Sequence, residues 1–260
     1  MQMTERDEAM LAWLDVVGLA DVDAVRWALA GLSGNSVPVT TRRANVWISR
    51  LVEVGLLGRG RPNFRDGSIV WASHQATGKT APNLYRQTTR HEVAVAAVSA
   101  RYLAHGYTWE ADRKVPKGAV DVSDGRISKR HVADGVAVKG DLRELIEVEL
   151  TPKNLDRYKD IFTNHLHRIK YEGAARVVYL GTPEASRVVA RELDKWVHHE
   201  RHPQFPTMPV FDVRGNWITG DFGLWGTHNQ DETVDAGGVV GSSVQHDSIH
   251  GVSSEGNDHS

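Results

Sequence analysis

Glu92, Asp134, Glu147 and Glu149 are the side chains in this sequence whose types and spacing suit metal chemistry on a phosphate. Glu147 and Glu149 stand two apart in LRELIEVEL, so on a strand they share one face. Asp134, in HVADGVAV, can meet them from the adjacent strand, with Glu92 contributed by a preceding helix. Two carboxylates plus substrate phosphate oxygens are what magnesium usually takes from a protein, and the ion would polarise the phosphate and activate water. A plainer reading stays open for the same residues, in which Glu147 and Glu149 line a solvated sheet face and Asp134 with Gly135 makes a bulge or turn.

A second group suits nucleic acid. The net charge of the chain is −2, yet from Thr40 to Arg90 nine basic residues stand against only Glu53 and Asp66. These are Arg42, Arg43, Arg50, Arg59, Arg61, Arg65, Lys79, Arg86 and Arg90. Helical spacing from Thr40 to Val54 turns Ala44, Trp47, Ile48, Leu51 and Val52 inward and leaves Arg42, Arg43, Asn45, Ser49 and Arg50 on the other face. Arginine and asparagine match guanine and adenine edges, so Arg42, Arg43, Asn45 and Arg50 are assigned to a major groove. Arg59, Arg61 and Arg65, in and beside a turn between two short strands, are assigned to the phosphate backbone.

Other motifs fall short of their chemistry. ATGKT at 76–80 ends like a phosphate-binding loop, but Ser73 stands where the loop needs its first glycine, so it reads as a loop closing the hairpin. His198, His199 and His202 surround Glu200, but one residue separates Glu200 from His202 where a zinc-binding helix needs two. His165 and His167 lie two apart on one helix and face different ways, which leaves packing, or a phosphate contact beside Arg168 and Lys170.

The elements that must position these groups are legible in outline, and they predict an α+β protein. Residues 5–19 form a first helix capped by Thr4, and Asp21 caps a second that stops at Gly31. The helix from Thr40, then LLGRGRP and SIVWAS as a hairpin, complete a winged helix-turn-helix over residues 1–80, whose partner is double-stranded DNA. A linker spans 81–90. Residues 91–226 then read as a mixed α/β domain: a helix at 91–105, strands at 107–115, 131–138 and 142–150, and a helix at 152–171. A strand at 175–180, a helix at 183–200 and a strand at 208–213 follow. The segment 227–260 carries six acids, no Lys or Arg and much Gly and Ser, and is expected to be disordered.

The chain has 260 residues and no cysteine, which excludes disulfides, thiolate zinc sites and a cysteine nucleophile and suits a cytoplasmic setting. MQMTERDEAM lacks the basic and apolar regions of a signal peptide, and no apolar run is long enough to span a bilayer, so no membrane partner is expected. Dimerisation on a palindromic site stays open, because no heptad or strongly apolar surface helix marks a partner face.

HVADGVAV, then LIEVELT, then a helix containing RYKDIF resembles the core of the PD-(D/E)XK nuclease superfamily. Residues 1–213 as a whole, a winged helix joined to such a core, are similar to the replication-relaxation family of plasmid, phage and actinobacterial mobile-element proteins. The resemblance implies DNA binding connected with plasmid replication or relaxation, with replication or mobilisation proteins as partners. It puts metal ligands, with magnesium as the cofactor, on Asp134 and Glu147 and the helix acid on Glu92. Glu149 occupies the place of the catalytic lysine, whose ammonium would stabilise charge on the phosphate. Lys153, one turn into the following helix, could supply that ammonium, and Lys159 is a less well placed source. Two functions follow: a DNA-binding protein with a degenerate nuclease-like second domain, or a magnesium-dependent endonuclease targeted by its winged helix.

Overall fold

The computed structural model describes residues 2–63, 67–112, 120–123, 126–129 and 131–218; within 120–129 only the backbone of two strands is described. Arg65 and the segment 227–260 lie outside the described residues. Side-chain caps fix the starts of the first three helices. Thr4 and Asp7 form a reciprocal capping box on α1 (Glu5–Val17). Asp21 accepts from the Ala24 N–H at 2.6 Å to cap α2 (Val22–Gly31), and Thr40 caps α3 (Thr41–Glu53). Their apolar stripes, among them Met10, Leu14, Val25, Ala28, Trp47, Ile48 and Leu51, close a single core.

Three strands adjoin that core. β1 (Ala20–Asp21) and β2 (Leu57–Gly60) pair antiparallel with opposite edges of β3 (Ile69–Ala72). β1 has two residues, too few for any periodicity to reveal in the sequence. Part of ATGKT, expected as loop, joins α4 (His74–Thr77), a single turn ended by Gly78 in the left-handed region.

Helix α5 (Thr89–Ala104) is shared between the two halves of the fold. Val93 through Tyr102 are buried around the whole helix circumference, which marks a helix enclosed by protein on every side. Ala96 and Ala100 belong to the core of α1–α3, and Ser99 accepts the Trp13 indole N–H at 2.9 Å. A Cβ at Gly31 would lie 2.5 Å from the backbone of Leu103 and Ala104, so the crossing of α2 and α5 requires glycine there. Arg101 donates to Asp23 of α2 at 2.7 Å, and its guanidinium lies over the rings of Trp27 and Trp217. The expected linker thus leads directly into a helix that both halves bury, and all described residues fall in one compact unit.

The opposite side of α5 meets a five-stranded sheet. Strand β4 (Thr108–Glu110) is followed by a separate hairpin, β5 (Val120–Ser123) with β6 (Arg126–Lys129), and then by β7 (Gly135–Lys139) and β8 (Leu142–Glu149). β4, β7 and β8 form an antiparallel meander. α6 (Asp156–Tyr171) crosses over to β9 (Arg176–Gly181), parallel to β8, and α7 (Pro183–Trp196) with a 3-10 turn (His199–Gln204) leads to β10 (Thr207–Pro209), parallel to β9. The sheet order is β10-β9-β8-β7-β4. α6 begins four residues later than the sequence suggested, because Asn154 Oδ1 accepts the Asp156 N–H and holds the preceding residues in a turn. Lys153 is therefore a loop residue and not a helical one.

A buried ion pair locks α6 to the sheet. Arg168 donates to both carboxylate oxygens of Asp112, at 2.6 and 2.8 Å, and Asp112 Oδ2 also accepts the Ala133 N–H at 2.7 Å. Arg168, one of the cations considered for a phosphate contact, is instead 1% exposed. No described helix is long and apolar enough to cross a membrane.

If α5 unites the two halves, Gly31→Ala must disturb both at once. We expect a loss of about 1–3 kcal/mol, read by urea denaturation as one transition followed with far-UV circular dichroism and tryptophan fluorescence. Two separated transitions in the native chain would contradict this.

Candidate functional site

Two surfaces gather the residues singled out above. The first is the outer face of α3. Arg42, Arg43 and Ser49 are exposed on it, Asn45 is half-buried, and Val46, which the basic pattern left unremarked, is 61% exposed between them. Arg42 and Arg43 occupy the first turn, where no acid offsets the positive end of the helix dipole. Cations there work against helix stability and in favour of an anionic ligand. Asn45 Oδ1 accepts from Arg59 of β2 at 3.4 Å, which ties the hairpin to this face, and Arg61 is exposed just beyond β2.

Arg50 departs from its assignment to the groove. Its guanidinium pairs with Asp7 of α1, a fully buried carboxylate that also accepts the Trp47 indole N–H at 2.8 Å. The pair holds α3 against α1, so Arg50 is committed to the fold. Burial pushes the Asp7 carboxyl up, but Arg50, the Thr4 backbone N–H, Trp47 and the Thr4 hydroxyl together bring it down to about 2.

The second surface is a cleft of about 580 Å³ where the end of β8 meets the start of α5. Asp134, Glu147, Glu149 and Lys153 all line it, with Gln87, Arg90, His91 and His131. Glu92 is not among the lining residues; its neighbour His91 supplies the helix side of the cleft. Asp134 immediately precedes β7, where Gly135 is needed because a Cβ would meet the Trp109 indole at 2.0 Å. Its Oδ2 accepts the Val148 N–H at 2.8 Å and lies 3.2 Å from His91 Nε2. Burial lowers the His91 imidazole, but Asp134, by hydrogen bond and by charge, and the Val148 carbonyl leave it raised above its ordinary value.

Glu147 and Glu149 share a face of β8, and both are buried. Lys153 reaches back between them, 3.5 Å from Glu147 Oε2 and in contact with Glu149 Oε1. An ammonium thus stands in the cleft beside both carboxylates. Two imidazoles converge on the other oxygen of Glu147: His131 Nε2 at 2.8 Å and His165 Nε2 at 3.2 Å. Burial opposes ionisation of Glu147, but His131, His165 and Lys153 outweigh it and hold the carboxyl well below the usual carboxylate range. For His165, burial dominates over the nearby carboxylate, and the imidazole is lowered below its ordinary value. His167 faces elsewhere, its ring centroid 4.6 Å from that of Tyr171.

These side chains do not fit a magnesium ion held by Asp134 and Glu147. That ion wants hard oxygen donors and its own waters. Here Asp134 Oδ2 is taken by a backbone N–H and His91, Lys153 engages an oxygen of each of Glu147 and Glu149, and imidazole nitrogens border the remaining oxygen of Glu147. Neither His91 nor His131 stood out in the sequence, because the groups they meet are 43 and 16 residues away. No family model, no curated protein and no solved structure matches the chain.

The Asp7 environment has a measurable pH signature. A carboxyl held at about 2 against 3.8 stabilises the fold fully above its unfolded value, and the effect is lost as pH falls through the folded one. We expect Asp7→Asn to remove about 2 kcal/mol at neutral pH and to flatten the acid limb of stability between roughly pH 5 and 2. Urea midpoints measured across that range check it, and an acid limb unchanged by the substitution would contradict it.

Proposed function

We propose that the chain is a double-stranded-DNA-binding protein whose first 80 residues act as a winged helix-turn-helix, with a degenerate nuclease-like core in its second half. The observation that carries this reading is the outer face of α3: Arg42, Arg43, Asn45, Val46 and Ser49 at helical spacing, joined to Arg59 of the adjoining hairpin. An arginine pair at the start of an exposed helix suits guanine edges and phosphates, and an exposed valine among polar residues suits a thymine methyl. In this reading α3 enters the major groove, and Arg59 and Arg61 hold the backbone.

For the second half, Asp134 just before β7, Glu147 on β8 and α6 behind them support the nuclease-like reading. Glu149 in place of lysine, together with carboxylates already occupied by His91, His131 and Lys153, favours a platform over a cutting centre. The resemblance to replication-relaxation proteins then suggests a role in a plasmid, a phage or another mobile element, inside the cytoplasm. One feature supports the competing endonuclease reading, namely Lys153 beside Glu147 and Glu149. Nicking of supercoiled DNA with magnesium or manganese, abolished by both Asp134→Ala and Glu147→Ala, would replace the platform by the endonuclease.

Binding to a duplex selected from a random pool, set beside a random duplex, tests the assignments. Arg43→Ala is expected to weaken the selected duplex by about 1–3 kcal/mol more than the random one. Arg61→Ala is expected to weaken both about equally and to reduce the salt slope by about one counterion. Equal losses from both variants on both duplexes would remove the division between groove and backbone, and no duplex binding at all would remove the reading.

A further inference from the structure

We infer that His131, Glu147 and His165 form a site for a divalent transition-metal ion of zinc type, at the inner wall of the cleft. Their ligand atoms all lie within 4.8 Å of one another. The two imidazole nitrogens stand 2.8 and 3.2 Å from Glu147 Oε1. In a tetrahedral site with bonds near 2.0 Å, neighbouring ligand atoms are roughly 3.3 Å apart, so the three donors need small shifts to receive an ion.

The condition of His165 separates this from an ordinary hydrogen-bonded cluster. It is fully buried, yet neither ring nitrogen has an aligned hydrogen-bond partner among the described residues. A buried polar atom left so costs about 1–3 kcal/mol, and a native fold usually supplies a partner. The Tyr179 hydroxyl, on the residue paired with Glu147 across the sheet, is a second buried polar atom without one. A metal ion would give His165 Nε2 a partner, with the imidazole in the neutral form that ligation demands.

The donor set selects the ion. Two imidazoles and one carboxylate suit zinc and its neighbours and are poor ligands for magnesium or calcium. Such a set leaves a position open, as sites with three protein ligands do. His131 and Glu147 line the cleft, so a water or an anionic ligand on the ion would have access from that side. Arg168, one turn beyond His165 on α6, binds Asp112, which in turn holds the Ala133 N–H two residues after His131. Two of the three ligands are thereby held to a single buried ion pair, an outer support of the kind metal sites need.

The test uses the full chain, untagged and freed of metal by chelation, titrated with cobalt(II) in the absence of DNA. We expect about one equivalent to give the visible bands of a four-coordinate ion with nitrogen and oxygen ligands. Zinc should displace it, and a large excess of magnesium should not. His131→Ala, at a partly exposed position, should abolish the bands while far-UV circular dichroism stays native; Glu147→Gln should do the same. Changing both His198 and His199 to alanine, in the exposed cluster with Glu200, should leave them intact. The inference is overturned by absence of the bands in the native chain, by their survival in His131→Ala, by their loss in the His198 and His199 variant, or by displacement with magnesium. Because no DNA is present, the outcome is independent of duplex binding.

Discussion

The buried pair of Arg168 and Asp112 sets the geometry of the second half of the molecule. Burying two charges is worthwhile only when every donor and acceptor is matched, and removing either partner of such a pair typically costs about 3–5 kcal/mol. The matching here is close: two guanidinium bonds to one carboxylate, a backbone N–H on the same carboxylate, and Glu172 at 3.2 Å from the remaining guanidinium nitrogen. The pair joins the segment just after β4, the approach to β7 and the last turn of α6. His131, Asp134 and His165 come from those same segments, so the inner wall of the cleft inherits its shape from this contact.

A similar logic governs the first half, on a smaller scale. Asp7 serves at once as the capping-box acid of α1, the acceptor for Trp47 and the partner of Arg50. One carboxylate thus sets how α3 leans on α1 and, with it, which side of α3 remains outward. The exposed face is what is left after Arg50 has been drawn in. Arg42, Arg43 and Val46 stay outside because Ala44, Trp47, Ile48 and Leu51 fill the inner stripe.

Much of this was legible in the chain itself. Thr4, Asp21 and Thr40 announce three helix starts through their capping chemistry, and the 3.6-residue spacing of apolar residues carries the helices forward. The alternation in LRELIEVEL placed Glu147 and Glu149 on one face of a strand. What local pattern could not convey was partnership at long range. Arg50 and Arg168 look like surface cations in sequence, because the acids that pair with them lie 43 and 56 residues away. The sharing of α5 was hidden for a related reason: an Ala- and Val-rich helix shows its composition but not how many neighbours enclose it. The pairing of β5 with β6 has one local signal in the sequence, Asp124–Gly125, a favoured hairpin dipeptide between the two strands, but little apolar alternation to support it. His131 carried no usable signal, since it meets Glu147 and His165 only after three separate segments have come together.

The seam at Gly31 bears on how the molecule would meet a long ligand. With α2 pressed backbone to backbone against the end of α5, the outer face of α3 and the mouth of the cleft belong to one compact unit. In the DNA-binding reading proposed above, a duplex held on α3 would pull on α2 and, through the Gly31 seam, on α5 and the sheet.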